Sequence, residues 1–319
     1  MAKGKSPARN GRPLASTQSA PGKGESGSDG PLLSMLAYGV LLIVAVVGAA
    51  DRIYGASSGA NFVASPVMGM FPGDIFVLSL SYPLLMLAVI SLRSQLQFLL
   101  GLKTAYNVAM TLFSLYCFCV MAVWKFGPRE GAWLPFSGAA TKGAGACDAA
   151  FEPHPVLGAQ VQAAARLFFL SKFVEWIDSV FLLLANKPIS VLHGFHHLGA
   201  PIAMGTMVYT NSEFVWIFVL WNSCVHTIMY AYYGCSGVGI KLRFIRPWIT
   251  RMQIIQFLTG MPYLWWVYGK ATLPGGVCST DGRVWSFLFQ FVYVTAVLSL
   301  FVNFFIQQYS GAEYAKKKK

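Results

Sequence analysis

Three of the five histidines in this 319-residue chain fall within one short stretch, VLHGFHHLGAP at residues 191–201. His193, His196 and His197 stand at i, i+3 and i+4, so a helix brings all three imidazoles to one face. The residues around them are apolar enough to lie in lipid. An imidazole there can ligate a metal, act as nucleophile or acid/base, or serve as a hydrogen-bonded packing residue. A lone membrane histidine suits the last role, whereas three within five residues favour chemistry.

Three more polar clusters interrupt apolar sequence. KFVEWIDS (172–179) carries Lys172, Glu175 and Asp178 at steps of three. Each such charge costs roughly 2.5–3.5 kcal/mol at the centre of a membrane helix. An internally neutralised network facing the interior is the minimal explanation. WNSCVHTIMYAYY (221–233) carries Asn222, His226, Tyr230 and Tyr233 as a stripe. Tyrosines alone suit an interfacial belt, but Asn222 and His226 lie too deep for that. ITRMQIIQF (249–257) repeats Thr250, Gln253 and Gln256 every three residues, a pattern that also serves as interhelical hydrogen-bond glue.

The elements that carry these clusters are membrane helices. The chain is 55% hydrophobic and only 11% charged, with mean hydropathy +0.55, whereas soluble domains carry about 25% charge. Eight runs suffice, or nearly so, to cross a ~30 Å hydrocarbon core: 31–50, 75–92, 105–124, 167–185, 189–210, 213–233, 252–269 and 284–308. The expected fold is therefore all-α, a polytopic helical bundle. Residues 1–30, rich in Lys, Arg, Ser, Gly and Pro, read as a disordered tail. Run 31–50 reads as a retained anchor, since its apolar stretch exceeds a cleaved signal core.

Charge sets the orientation. With the N-terminal tail in the cytosol and eight crossings, the cytosolic segments hold 16 Lys or Arg and the opposite side 7. Both termini are thus expected in the cytosol. The same bias explains the net charge of +12 without nucleic-acid binding. Cys147 and Cys278 then fall in non-cytosolic loops, where an oxidising lumen lets them pair. This topology also brings all four polar clusters to one depth, on the cytosolic side. The ending AEYAKKKK places Lys316 and Lys317 as a dilysine-type retrieval signal, with attraction to anionic lipids as the alternative.

Metal chemistry is the first candidate, because H-x-x-H-H boxes occur in membrane di-iron desaturases and hydroxylases. Those sites need about eight histidines; this chain has five, and His154 lies in a non-cytosolic loop. Glu175 and Asp178 could complete one mononuclear site, but not a histidine-rich di-iron centre. Imidazole as nucleophile or acid/base fits the residue types better. A receptor or transporter is the non-enzymatic alternative, but neither repeated halves nor Gly/Pro-broken helices are evident.

Taken in order, K-x-x-E-x-x-D-[ST] at 172–179, H-x-x-H-H at 193–197, N-x-x-x-H-x-x-M-Y-x-Y-Y at 222–233 and T-x-x-Q-x-x-Q at 250–256 resemble the membrane fatty-acid elongases, as does Tyr106–Asn107. The likeness spans about 75–308, with Ser179 in place of the commoner Thr. FHHLGAP and MQIIQF look most like polyunsaturated-fatty-acid elongases of algae and other protists. The resemblance implies a seven-helix catalytic core to which 31–50 adds an anchor, with 309–319 as a cytosolic tail. It implies a very-long-chain 3-oxoacyl-CoA synthase of the endoplasmic reticulum that joins acyl-CoA to malonyl-CoA and releases CoA and carbon dioxide. Its acyl group passes through His196. His193 and His197 orient the nucleophile, and His226, Asn222 and Gln256 serve developing oxyanions. Lys172, Glu175, Asp178, Tyr230, Tyr233 and Gln253 support the site or bind substrate. No metal or cofactor is expected. Expected partners are membrane lipids, a ketoacyl reductase, a dehydratase, an enoyl reductase and a second copy of the chain.

Overall fold

The computed structural model describes residues 72–127 and 160–310. The tail 1–30, the run 31–50, Cys147, His154 and the lysine-rich ending lie outside these residues. The described chain is helical, with no strand among its residues. Eight α-helices follow in order: α1 (Pro72–Ser91), α2 (Lys103–Phe126), α3 (Gln160–Val174), α4 (Trp176–Leu184), α5 (Val191–Tyr209), α6 (Val215–Gly237), α7 (Arg246–Thr272) and α8 (Asp281–Phe305). Among the described residues, three helical stretches are long and apolar enough to cross a membrane: 97–126, 215–237 and 281–309. The polar clusters themselves lower the hydropathy of α3, α5 and α7.

Six helices close a ring. α2 packs on α6, α6 on α7, α7 on α8, α8 on α5, α5 on α3, and α3 back on α2. α1 lies outside it against α4 and α5. Inside, Phe168, Phe195, Phe214, Met207, Leu264 and Phe287 are wholly buried. The outward faces carry Leu84, Leu112, Leu258 and Trp266, all exposed, as suits a bundle solvated by lipid.

Local chemistry fixes the histidine helix. α4 ends in a Schellman turn: Asn186 adopts φ +59°, its N–H reaches Leu183 O, and Lys187 N–H reaches Leu182 O. Four residues later Ser190 caps α5 by accepting from His193 N–H. α5 ends in the same way, with Asn211 at φ +46° and Ser212 N–H bonded to Met207 O. The hairpin thus has little freedom to slide.

The fourth apolar run differs from expectation, because it starts earlier and breaks at Glu175. There Asp178 N–H bonds Glu175 O, a three-residue step that tightens the turn. α7 begins six residues before the apolar run, because Pro247 fits the first helical turn.

Candidate active site

Ionic contacts begin on α3. Lys172 and Glu175 are each 2% exposed, and Nζ lies 2.7 Å from Oε1. The same ammonium donates to Asn222 Oδ1 at 2.8 Å and stands 4.0 Å over the Phe168 ring. Glu175 Oε1 also lies 3.4 Å from His226 Nδ1. A row Asn222–Lys172–Glu175–His226 therefore joins α3 to α6, with one positive and one negative charge in balance. Removing either partner would strand a charge in a dry interior.

Asp178 does not join this row. Its Oδ2 accepts from Tyr230 at 2.6 Å and Tyr106 at 3.2 Å, tying α4 to α6 and α2. At 3.6 residues per turn, six residues leave Asp178 about 120° around the helix from Lys172. Steps of three thus fan out across the face, which separates the acidic pair into two networks.

The three histidines occupy different surroundings. His193 Nε2 lies 2.8 Å from Ser179 Oγ, which is 2.8 Å from Tyr82 OH. His197 is buried beneath His193, with ring centroids 4.1 Å apart, and its Nδ1 has no partner. His196 lines a cavity between the helices. Tyr293 OH donates to the His196 carbonyl at 3.1 Å and stands 3.5 Å from His196 Nδ1.

Two small residues make this arrangement possible. Pro201 lacks the N–H that would bond the His197 carbonyl, and the Trp176 indole donates to that oxygen instead, at 2.8 Å. Gly199 admits the Tyr293 ring: a Cβ there would overlap Cε2 and meet Cζ at 3.0 Å.

The cavity is narrow, about 70 Å³, and its wall is mostly apolar. Lys172, His196, Asn222 and Gln256 are polar members of its wall. Beyond them it is lined by Met204, Met207, Ile217, Phe218, Trp221, Gly260 and Met261. Met207 is eleven residues past His196, about 16 Å along α5. The wall thus joins the His196 imidazole to an apolar recess.

Gln253 and Tyr233 sit at the margin, whereas Gln256 is on the cavity wall. Gln256 is buried with Oε1 unpartnered, Gln253 Nε2 reaches Met229 Sδ at 3.8 Å, and Tyr233 is 40% exposed. Cys278 is disulfide-bonded; Cys117, Cys119, Cys224 and Cys235 are free. Sequence reasoning missed Tyr293 and Gln290 on α8, and Tyr82 on α1. A polar pair three apart, Gln290 and Tyr293, was the available signal.

Glu175, His196 and His226 bring one ligand atom each within 4.8 Å of one another. These are donor types that suit a divalent ion. The carboxylate oxygen is already engaged by Lys172 at 2.7 Å, and that ammonium opposes a second cation.

Residues 72–319 match the sequence model of ELO, the GNS1/SUR4 family. The chain is 30% identical over 226 residues to very long chain fatty acid elongase 5 of Macaca fascicularis, covering 68% of this chain and 67% of that one. The human protein of the same name matches at the same identity and coverage. Fatty acid elongase 3 of Trypanosoma cruzi is 38% identical over 117 residues, 36% of this chain and 39% of its own.

Proposed function

Because the chain belongs to the GNS1/SUR4 family of membrane fatty-acid elongases, we propose that it is a 3-oxoacyl-CoA synthase working through an acyl-imidazole on His196. The observation that carries this reading is the position of His196, which lines a mainly apolar recess together with Lys172 and Asn222.

In the first half-reaction the His196 nitrogen remote from Tyr293 attacks the thioester carbonyl, and CoA leaves as the thiol. The acyl chain is then held in the recess. In the second, malonyl-CoA loses carbon dioxide, and the resulting enolate carbon attacks the acyl carbonyl. Imidazole departs and a 3-oxoacyl-CoA two carbons longer is released. Dividing one hard condensation into two transfers lowers each barrier. The Asn222 amide, its oxygen held by Lys172, is placed to donate its N–H to the oxyanions, while His226, with Nδ1–H facing the Glu175 carboxylate, keeps Nε2 as a proton acceptor. Tyr293 holds the nucleophilic ring from behind. No step needs a metal, since Lys172 already supplies the positive charge beside Glu175.

Met204, Met207 and Met261 line the recess together with Phe218, Trp221 and Phe257. Such walls are polarizable and adaptable, which supports a bent polyunsaturated chain as substrate. The endoplasmic reticulum membrane, with both termini cytosolic, is the proposed location. Ketoacyl reductase, dehydratase and enoyl reductase activities would complete each cycle.

The test is intact mass spectrometry of the purified chain incubated with acyl-CoA alone, beside malonyl-dependent release of carbon dioxide. One acyl adduct that maps to His196 and is absent from His196→Ala is expected. Near-normal extension by His196→Ala would overturn the assignment.

A further inference from the structure

Gln256 and Gln290 both line the recess with a buried Oε1 that has no partner, and neither has a place in that mechanism; Gln290 is the one whose amide is pinned by its neighbours. Gln290 is wholly buried and lines the cavity from α8. Its Nε2 donates to Ala203 O at 3.0 Å and to Thr206 Oγ1 at 3.2 Å. Ala203 O can only accept, so the amide cannot be turned over without setting two acceptors against each other. Thr206 sends its own proton to Ala203 O at 2.9 Å and accepts from Ser286 Oγ at 3.3 Å. Every hydrogen of this cluster is thereby committed, and what remains is an acceptor: Gln290 Oε1, buried and without a partner.

A bare amide oxygen buried beside a mainly apolar recess loses the bonds that water gave it, a cost of about 1–3 kcal/mol. A plain hydrocarbon chain returns none of that. A donor on the chain returns it, and a site holding such an acceptor then disfavours chains that lack the donor.

Depth gives the position. Ala203, which Gln290 touches, is seven residues past His196, about 10 Å along α5. An extended chain advances about 1.25 Å per carbon–carbon bond, from a bond of ~1.52 Å and an angle of ~111°. Gln290 Oε1 therefore stands about eight bonds beyond an acyl carbonyl held on His196.

We infer that Gln290 Oε1 is a hydrogen-bond-accepting subsite that favours acyl chains bearing a hydroxyl about eight bonds from the thioester carbon. This specificity rests on the elongase reading. The Ser286–Thr206–Ala203 cluster fixes which way round the amide lies, with Nε2 toward Ala203 and Thr206 and Oε1 away from them.

The test uses the full-length protein in detergent or vesicles with a positional series of monohydroxy octadecanoyl-CoA substrates and the unsubstituted parent. Both displacement binding and kcat/KM are measured. Hydroxyls roughly at the seventh to tenth carbons should raise kcat/KM about three- to tenfold over neighbouring positions, the worth of one neutral hydrogen bond. In Gln290→Met the ratio between hydroxylated and plain chains should fall to about one. The scan in the unmodified protein requires no variant to fold. A flat positional profile, or an unchanged ratio in Gln290→Met, would overturn the subsite while leaving condensation intact. Positional preference in binding without extension of any substrate would keep the subsite and overturn the elongase reading.

Discussion

Gly199→Ala probes the alignment of the nucleophile without touching a polar atom. The added methyl would overlap Tyr293 Cε2 and stand 3.0–3.1 Å from Cζ and Cδ2, where carbon pairs prefer about 3.5–4.0 Å. The ring is wedged between Phe195 and Phe289, at centroid distances of 5.7 and 5.8 Å, so it must shift as a body by about 1 Å. The hydroxyl, now 3.1 Å from the His196 carbonyl, then leaves hydrogen-bond range. Loss of that bond alone is worth about 1 kcal/mol, roughly fivefold in rate. A 1 Å error in the position of the imidazole raises the loss towards about 100-fold. Stability should fall by about 1–3 kcal/mol from overpacking. The assay is single-turnover acyl transfer from acyl-CoA to the protein, run on Gly199→Ala, Tyr293→Phe and the double variant. If the methyl acts through the hydroxyl, Gly199→Ala must slow the Tyr293→Phe background less than the unmodified one. Equal fold losses in both backgrounds would refute the argument.

Other expectations follow from the same geometry. Lys172→Met strands Glu175 and should cost roughly 3–5 kcal/mol, read as a fall in the detergent-denaturation midpoint; Lys172→Met with Glu175→Gln should recover most of it, and no recovery would deny the ionic account. Gly260→Leu projects into the recess where a Cβ meets Ile217 and Trp221 only at 3.7 and 4.0 Å. It should shorten the longest product while sparing extension of short chains, as gas chromatography of product acids would show. Metal analysis should find no stoichiometric transition metal in active protein, and chelators should leave carbon dioxide release unchanged. A bound ion whose removal abolishes release would reassign Glu175, His196 and His226 as ligands.

What could be read in advance, and what could not, has a physical pattern. Lys172, His196, Asn222 and Gln256 stood out because polar side chains at helical spacing are costly in apolar sequence, and all four line the cavity. Asp178 was placed in their network because spacing gives the angle about one helix only approximately; the choice between Lys172 and the tyrosine pair was made by α2 and α6. Tyr293 and Gln290 lie in a long apolar helix whose pattern alone does not show which face turns inward. Gly199 and Pro201 were legible as residues but not as causes. One matters through a ring that approaches from α8, the other through an indole that arrives from α4. Local sequence therefore identifies groups capable of chemistry, whereas the groups that hold them belong to other helices. A reactive imidazole in lipid requires both. On the proposed mechanism His196 depends on the carbonyls of His196 and His197 being engaged from outside their own helix, by Tyr293 and Trp176, which fixes the backbone that carries the ring and leaves the nitrogen remote from Tyr293 for the acyl group.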